Sequence, residues 1–136
     1  FMVENAKKVI GVEIVDDAVK NAEKNAHHNK IENARFYSGD CDKVVKELIE
    51  KGEKADIIVV DPPRKGLTEE LIGMICSLNP KRIVYVSCSS ATLARDVKIA
   101  KDKGYILTKA VPVDMFPNTA HIETVALLER KVQNPC

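Results

Sequence analysis

Short apolar runs alternate with amphipathic stretches along most of the chain, and this alternation predicts strands that are followed by helices. Runs rich in β-branched residues are typical of buried strands, and apolar residues at three- and four-residue spacing are typical of helices. The predicted strands are 9–15, 34–38, 55–60, 82–87, 105–113 and 124–131. The predicted helices are 16–28, 43–51, 68–78 and 89–103. Asp16 or Asp17 is expected to cap the first helix.

The order of these elements predicts an α/β fold. Strands that alternate with helices through short connections form a parallel sheet that helices cover on both faces. Two further strands, 105–113 and 124–131, are expected to close that sheet. Since no repeat, low-complexity stretch or linker interrupts the 136 residues, we expect a single domain, 1–136.

Composition narrows the class of protein. Hydrophobic residues make up 45% and charged residues 30% of the chain, which excludes a disordered tail, a collagen-like chain and a coiled coil. The net charge is +1, so charge neither predicts nor excludes a nucleic-acid partner. No apolar run approaches the roughly 20 residues that cross a bilayer, and the first residues lack signal-peptide order. We therefore expect no membrane partner and a cytoplasmic location.

The chain contains four cysteines, at positions 41, 76, 88 and 136. None forms a Cys-x-x-Cys pair or lies at zinc-finger spacing from a histidine, so no metal site is expected and free thiols are the expected state. Cys88 differs from the others because it lies where a predicted strand meets a helix N-terminus, a position that favours the reactive thiolate. Cys41, Cys76 and Cys136 are interpreted as apolar fillers.

Polar side chains lie at or just past the carboxyl ends of four predicted strands, where ligands bind in open parallel sheets. They are Glu13, Asp40, Asp61 and Cys88. An acid such as Glu13 typically accepts hydrogen bonds from ribose hydroxyls in a nucleotide-binding unit, although a solvated strand end needs no ligand. Asp40 is suited equally to accept from an adenine amino group and to cap the following helix.

The most specific string in the chain is Asp61-Pro62-Pro63-Arg64-Lys65-Gly66. Its two prolines hold the backbone in a stiff, extended turn. Such a turn fixes the Asp61 carboxylate and nearby carbonyls beside a flat substrate, and the following cations suit phosphate. Pro62 and Arg64 are therefore candidates for substrate binding. The alternative is a plain turn with solvated charges.

Glu123 is the candidate general base near the end of the chain. It adjoins the apolar run 124–128, so partial burial would make it a usable base. By sequence alone, a loop carboxylate that caps its neighbours is the better supported interpretation. Asn118 and His121 are plausible neighbours of this group.

Taken together, these strings resemble the RNA (uracil-5-)-methyltransferases, which use S-adenosylmethionine (SAM). The resemblance covers roughly residues 5–130, and the combination is highly specific although no single string is. It rests on Gly11-Val12-Glu13, on Asp61 to Gly66, on Ser87-Cys88 with Ala91-Thr92-Leu93-Ala94-Arg95-Asp96, and on Asp114-Met115-Phe116-Pro117 with His121 and Glu123.

The resemblance implies a Rossmann-like SAM-dependent methyltransferase sheet and methylation of uracil C5 in ribosomal or transfer RNA. It implies that Glu13 binds the SAM ribose, that Asp40 lies near the adenine and that Asp61, the acid of the cofactor and substrate turn, also binds the cofactor. Cys88 matches the nucleophile that adds to uracil C6, and Glu123 matches the base that removes the C5 proton. The target base must be unstacked to reach such a site.

The chain departs from the family pattern in two respects. Ser89-Ser90 stand where the family usually has Asn-Pro after the nucleophile, and both can still cap a helix. The family's first strand and its Gly-rich SAM motif are expected before Phe1 and are missing, as are an RNA-binding domain and an iron–sulfur cysteine cluster. The chain thus resembles a piece of a longer protein. SAM binding by this piece alone is expected to be weak or absent.

The missing strand would lie between strands 9–15 and 55–60 in the family's sheet. Because unpaired central edges expose backbone groups and apolar surface, we expect these two strands to pair directly or to pair with another chain, as in a homodimer.

Two other functions fit parts of the sequence. An Asp-Pro-Pro turn also suits a Rossmann-like SAM methyltransferase that acts on an exocyclic amine, which would need no nucleophilic cysteine. A stable core that binds no cofactor is the non-catalytic alternative. The effect of Cys88→Ala on activity separates the first from the uracil hypothesis, and titration with SAM tests the second.

Overall fold

In the computed structural model, which describes residues 2–115, 117–119 and 121–131, the strands form two sheets. The chain divides into two compact units, Phe1–Lys51 and Gly52–Cys136. The first unit holds a two-stranded sheet and the second a four-stranded sheet. The α/β class predicted from the sequence is confirmed, whereas the single domain stays a prediction.

The first unit is a pair of parallel strands, each followed by a helix. Its elements are a 3-10 helix at Met2–Asn5, β1 (Val9–Glu13), α1 (Asp16–His28), β2 (Ala34–Ser38) and α2 (Cys41–Glu50). Val9 pairs with Ala34 and Glu13 with Ser38, so the carboxyl ends of the two strands coincide. Gly11 lies directly beside the ring of Phe36. A Cβ added to Gly11 would be only 2.8 Å from Cδ1 of Phe36, so the contact leaves no room for a side chain.

The second unit is built on a mixed sheet with the strand order β3-β4-β6-β5. Its elements are β3 (Ile57–Val60), α3 (Glu69–Ser77), β4 (Arg82–Ser87), α4 (Ser90–Asp102), β5 (Tyr105–Val113) and β6 (Glu123–Arg130). β3 runs parallel to β4, while β6 runs antiparallel to both β4 and β5. The alternation of elements predicted a parallel sheet. The observed sheet is mixed, because β6, the last strand in the chain, is antiparallel to its neighbours.

The core of the second unit lies between the sheet and its helices. Tyr105, 1% exposed, is anchored there because its hydroxyl donates to the carbonyl of Pro80 over 2.8 Å. The other buried apolar side chains of this unit come from α3, β4, α4 and β6: Leu71, Ile72, Ile75, Ile83, Tyr85, Leu93, Ala100, Ala126 and Leu128. Their removal from water is the main stabilising contribution to this unit.

Polar side chains cap three of the four helices in the described residues. Asp40, Thr68 and Ser89 occupy the cap positions of α2, α3 and α4, and each side chain accepts a backbone N–H of its helix. The expectation that Asp16 or Asp17 caps α1 is wrong, because Val15 holds that position. Both aspartates instead lie in the first turn, where their charge favours the positive end of the helix dipole.

The observed strand pairing tests the expectation that strands 9–15 and 55–60 pair directly. Within the described residues, β1 pairs with β2 and β3 with β4, and these are the ladders that the two strands make. The direct pairing expected for strands 9–15 and 55–60 is therefore wrong, and pairing with another chain stays a prediction.

Candidate active site

Strand register brings three of the predicted residues to one end of the strands in the four-stranded sheet, and we call this end the site edge. Ser87 pairs with Thr124 at the last rung of the antiparallel β4–β6 ladder, so Cys88 and Glu123 adjoin that same rung. β3 runs parallel to β4 with Val60 opposite Tyr85, so Asp61 leaves the sheet at this edge too. A thiol and two carboxylates therefore lie at the carboxyl ends of β3 and β4, where parallel sheets bind their ligands.

Cys88 lies in a two-residue connection between β4 and α4. Its thiol is free and partly buried. The buried Ser87 hydroxyl donates to the carbonyl of Ser89 over 2.9 Å and accepts its N–H over 3.1 Å. Ser89 in turn caps α4 through the N–H of Thr92. Cys88 is thus enclosed in a loop that is hydrogen-bonded on both sides and leads directly into a helix N-terminus.

Glu123 is the first residue of β6 and is half-buried. It pairs with Val113 of β5, so β5 and β6 hold its backbone in register. The partial burial expected from the adjoining apolar run is confirmed. The role of Glu123 as a base stays a prediction.

The turn after β3 presents Asp61 and Arg64 at the surface, and Pro62 is half-buried. The turn closes through the N–H of Gly66, which donates to the carbonyl of Pro63 over 2.8 Å. The Arg64 guanidinium lies 3.4 Å from Nε2 of His121, two residues before Glu123. The turn is therefore linked to the segment that leads into β6, and His121 is a neighbour of the site as expected.

Helix α4 connects the turn to the cysteine loop. The hydroxyl of Thr92 lies 3.1 Å from the carbonyl of Arg64 and 3.2 Å from that of Ser89, so its one proton can be donated to either carbonyl or shared between them. One side chain therefore contacts the backbone of each segment that carries a candidate reactive group. The sequence shows Thr92 only as part of a motif, and its reach across 28 residues has no local sequence signal.

Asp96 is a second residue whose place the sequence analysis missed. It is a carboxylate on the buried face of α4, only 2% exposed. Leu93, Asp96 and Ala100 share that face. An acid at a core position of an amphipathic helix is the signal that could have drawn attention to it.

Glu13 and Asp40 lie at the shared edge of the two-stranded sheet in the first unit. Glu13 is exposed, and its Oε1 accepts the N–H of Val15 over 3.0 Å. Its carbonyl also accepts the N–H of Gly39 over 3.0 Å. Asp40 caps α2, as one of its two predicted roles requires, since its Oδ1 accepts the N–H groups of Asp42 and Lys43.

The other cysteines differ from Cys88 in their surroundings. Cys41 is exposed, so its interpretation as a buried filler is wrong, whereas Cys76 is partly buried in α3. Desolvation raises the pKa of both thiols, and the charges of Asp42 and Asp40 add to this at Cys41. A raised pKa disfavours the nucleophilic thiolate. Cys136 lies outside the described residues.

Within 2–115, 117–119 and 121–131, no group of three His, Cys, Asp or Glu side chains is arranged to hold a metal ion. In the same part of the chain, no helix combines the length and apolar character that a membrane span requires.

Known proteins match this chain along nearly all of its length. A model of the tRNA (uracil-5-)-methyltransferase family matches residues 2–131. An uncharacterized RNA methyltransferase of Clostridium tetani is 49% identical over 128 residues, which are 94% of this chain and 28% of that protein. Another, of Halalkalibacterium halodurans, is 50% identical over 131 residues, 96% of this chain and 29% of that protein.

A solved structure shows the same fold. It is the crystal structure of the Pyrococcus abyssi tRNA (uracil-54, C5)-methyltransferase in complex with S-adenosyl-L-homocysteine. The TM-score is 0.76 and the identity 33%, over 93% of this chain and 30% of that one. The Rossmann-like methyltransferase fold is thereby confirmed. The chain spans between 28% and 30% of the length of these three proteins.

Proposed function

We propose, from the premise that this chain belongs to the tRNA (uracil-5-)-methyltransferase family, that it supplies the catalytic segment of an enzyme that methylates uracil C5 in RNA. The RNA is transfer or ribosomal, and SAM is the cofactor. The observation that carries the proposal is the β4–β6 register, in which Cys88 and Glu123 adjoin the same rung. The crystal structure with S-adenosyl-L-homocysteine, 33% identical to this chain, supports the cofactor.

In the proposed reaction, the Cys88 thiolate adds to C6 of the uracil ring. A carbon–sulfur bond forms and the C5–C6 π electrons move into an enolate, which makes C5 nucleophilic. SAM, when bound, supplies the methyl group as a sulfonium that C5 can attack. The Glu123 carboxylate then takes the C5 proton, the C5–C6 double bond re-forms, and Cys88 leaves as a thiolate. Glu123 finally loses its proton to water.

The Asp61–Gly66 turn is proposed to hold the base and its backbone. The exposed Asp61 carboxylate can accept from the ring N–H, and the half-buried Pro62 offers a flat apolar surface. Arg64 suits a phosphate because its guanidinium presents a planar array of donors. Its contact with His121 supports an orientation of Arg64 along the site edge.

Glu13 and Asp40 are proposed to bind the nucleoside part of SAM. The exposed Glu13 carboxylate uses Oε1 for the N–H of Val15, and a carboxylate can accept several further hydrogen bonds, including those of a ribose diol. Asp40 uses Oδ1 for its cap, so its other oxygen is the one proposed for the adenine amino group. Acceptor-only side chains at a strand edge fit the donors of a nucleoside.

A mechanism-based trap tests the reaction. The protein is incubated with SAM and an RNA that contains 5-fluorouridine, and covalent adducts are separated on a denaturing gel. Because fluorine at C5 cannot be removed as a proton, the thioether to C6 should persist. At a SAM concentration high enough to offset the weak binding expected from the sequence, we expect an adduct with the unaltered protein and with Cys76→Ala, and none with Cys88→Ala. An adduct that survives Cys88→Ala would contradict the proposed nucleophile.

The same material separates the two alternatives. An exocyclic-amine methyltransferase would transfer methyl groups to RNA after Cys88→Ala, whereas the uracil mechanism predicts that transfer is lost. A core without a cofactor site would show no saturable binding when SAM is titrated into it. Since the mechanism requires a reduced thiol, it also fits the cytoplasmic location predicted from the sequence.

Pairing with a second copy of the chain through the edge of β3 is a further part of the proposal. Ile57 and Val59 on this strand are 56% and 46% exposed, and an exposed apolar strand favours pairing with another strand. Light scattering should then give the mass of a dimer, and Ile57→Lys should reduce it to that of a monomer. A monomer with the unaltered chain would contradict this pairing.

A further inference from the structure

The buried carboxylate of Asp96 is bound on both oxygens. Oδ1 accepts from Nε of Arg95 over 2.8 Å and lies 2.7 Å from its Nη2. Oδ2 accepts the N–H of Leu67 over 2.8 Å and the hydroxyl of Tyr85 over 2.6 Å. A buried charge is costly unless such partners compensate it. Asp96 is therefore placed to hold three different segments together.

Arg95 extends the same contacts to the turn after β3. Its Nη2 donates to the carbonyl of Lys65 over 2.9 Å and to that of Leu67 over 3.0 Å. The side chain of Arg95 is half exposed, so its ion pair with Asp96 is a weak source of overall stability. Its geometry matters more for where the turn lies.

Gly66 shows how closely α4 approaches the turn. Its φ is +74°, and an added Cβ would lie 2.6 Å from both Nη2 of Arg95 and Oδ2 of Asp96. No other residue type fits this position without displacing the hydrogen-bonding groups. The turn is therefore pressed directly against the side chains that bind it.

We propose that Thr92, Arg95 and Asp96, which we call the α4 clamp, are positioning residues for the proposed methyl transfer. The clamp binds the backbone of the turn at residues 64, 65 and 67, and Thr92 also binds Ser89 beside the cysteine. It thereby fixes the turn that carries Asp61 and Arg64 against the loop that carries Cys88. None of the three is assigned a contact with substrate or cofactor, and the inference rests on the proposed function.

This placement matters because addition to C6 requires the uracil ring and the sulfur to meet at a defined distance. A displacement of about 1 Å at a reacting pair can lower a rate on the order of a hundredfold. The residues proposed to hold the base and the residue proposed to attack it lie on different segments. The Thr92 hydroxyl is the side-chain group that lies within hydrogen-bond distance of the backbone of both.

Thr92 offers the sharpest test because its shape can be kept while its hydroxyl is removed. Thr92→Val removes the donor, and Thr92→Ser keeps it. Thr108→Val is the matched control, since it also removes a hydroxyl bound to a carbonyl, that of Leu127 on the neighbouring strand β6. The measurement is the rate of adduct formation with 5-fluorouridine RNA at saturating SAM and RNA, together with the thermal unfolding midpoint of each variant.

We expect Thr92→Val to slow adduct formation about tenfold, and Thr92→Ser to stay within about twofold of the unaltered protein. Thr108→Val should form the adduct at the unaltered rate, although its unfolding midpoint falls as far as that of Thr92→Val. Equal rates for Thr92→Val and the unaltered protein would overturn the clamp. A rate for Thr92→Ser as slow as that for Thr92→Val would overturn it as well.

Failure of the clamp and failure of the proposed function give different results. If the unaltered protein forms no adduct, the proposed function is contradicted and the clamp has no reaction to serve. If the unaltered protein forms the adduct and Thr92→Val forms it equally fast, the function stands and the clamp alone is wrong.

Discussion

The two sheet edges that carry the candidate residues are held in different ways. In the first unit, Glu13 and Asp40 are fixed by hydrogen bonds to backbone groups two or three residues away. In the second unit, the turn after β3 is fixed by side chains of α4 that lie 28 to 30 residues further along the chain. Local bonds place single side chains, whereas the α4 contacts place one candidate segment against another.

The difference suggests a division of tasks. Binding of a nucleoside requires acceptors at a strand edge, and helix caps and strand ends supply these locally. Covalent chemistry on a base requires several groups at fixed separations, which local bonds alone do not supply. We therefore expect substitutions in and around α4 to lower the stability of the second unit more than substitutions of Asp40 lower that of the first unit.

The largest effect is expected for Asp96→Asn, since an amide nitrogen would then face donors from Arg95 or from Leu67 and Tyr85. Leaving buried donors without the charged acceptor that they now share lowers the free energy of unfolding by about 3 kcal/mol. Denaturant unfolding measures this, with Asp102→Asn at the exposed end of α4 as the control. A loss no larger than that of the control would show that Asp96 is not holding the segments together.

Gly66→Ala is expected to have the next largest effect, and Gly52→Ala is its matched control. The two glycines have φ values of +74° and +75°, so both substitutions cost about 1 kcal/mol of backbone strain. Gly52 has open space around it, whereas Gly66 lies against Arg95 and Asp96. Gly66→Ala should therefore cost about 2 kcal/mol more in unfolding free energy. Equal losses would contradict the tight contact with α4.

Tyr85→Phe tests the clamp through pH. Burial, and then the hydrogen bond to Asp96 and its charge, raise the pKa of the Tyr85 phenol above its ordinary value of 10.0. A raised folded-state pKa contributes stability below the unfolded pKa, and this is lost as pH rises through the folded pKa. Tyr85→Phe should lose about 1.5 kcal/mol near pH 7, and its stability should decline less steeply above about pH 10.

Urea titrations at a series of pH values measure this comparison. Tyr105→Phe is the control, since burial raises the pKa of Tyr105 as well but its hydroxyl binds Pro80 rather than Asp96. Parallel stability-versus-pH profiles for Tyr85→Phe and the unaltered protein would contradict the raised pKa of the Tyr85 phenol.

The smallest effect is expected at Asp40, where it separates the two roles of that residue. Asp40→Ala removes the cap of α2 and should cost about 1 kcal/mol, whereas Asp40→Ser keeps a capping oxygen and should cost a few tenths. If Asp40 also binds adenine, both variants should weaken SAM binding in calorimetric titrations. Unchanged SAM affinity in Asp40→Ser would leave the cap as its sole role.

Many strand and helix bounds could be predicted because residues that interrupt helices and strands flank the apolar runs of the sequence. The predicted bounds of β2, β4 and β5 are confirmed. β3 begins at Ile57 rather than at residue 55, and the carbonyl of Asp56 just before it accepts the N–H groups of Lys81 and Arg82. The cap predicted for α1 was wrong because Asp16 is already the first helical residue, which leaves Val15 at the cap position.

The site was harder to predict because it depends on strand direction and on long-range contacts. A hydrophobic pattern does not show that β6 runs antiparallel to β4, yet this direction brings the start of β6 to the end of β4. The sequence therefore identified Cys88 and Glu123 separately, without their common edge. The clamp depends on side chains that reach backbone groups 28 to 30 residues away, which no local pattern reveals.

The most direct test of the account is to locate the covalent bond. The adduct formed with 5-fluorouridine RNA and SAM is digested with protease and nuclease, and the modified peptide is sequenced by mass spectrometry. We predict that the modified nucleotide is attached to Cys88 and that the peptides carrying Cys41 and Cys76 are unmodified. Attachment at another residue, or the absence of any modified peptide, would contradict the account.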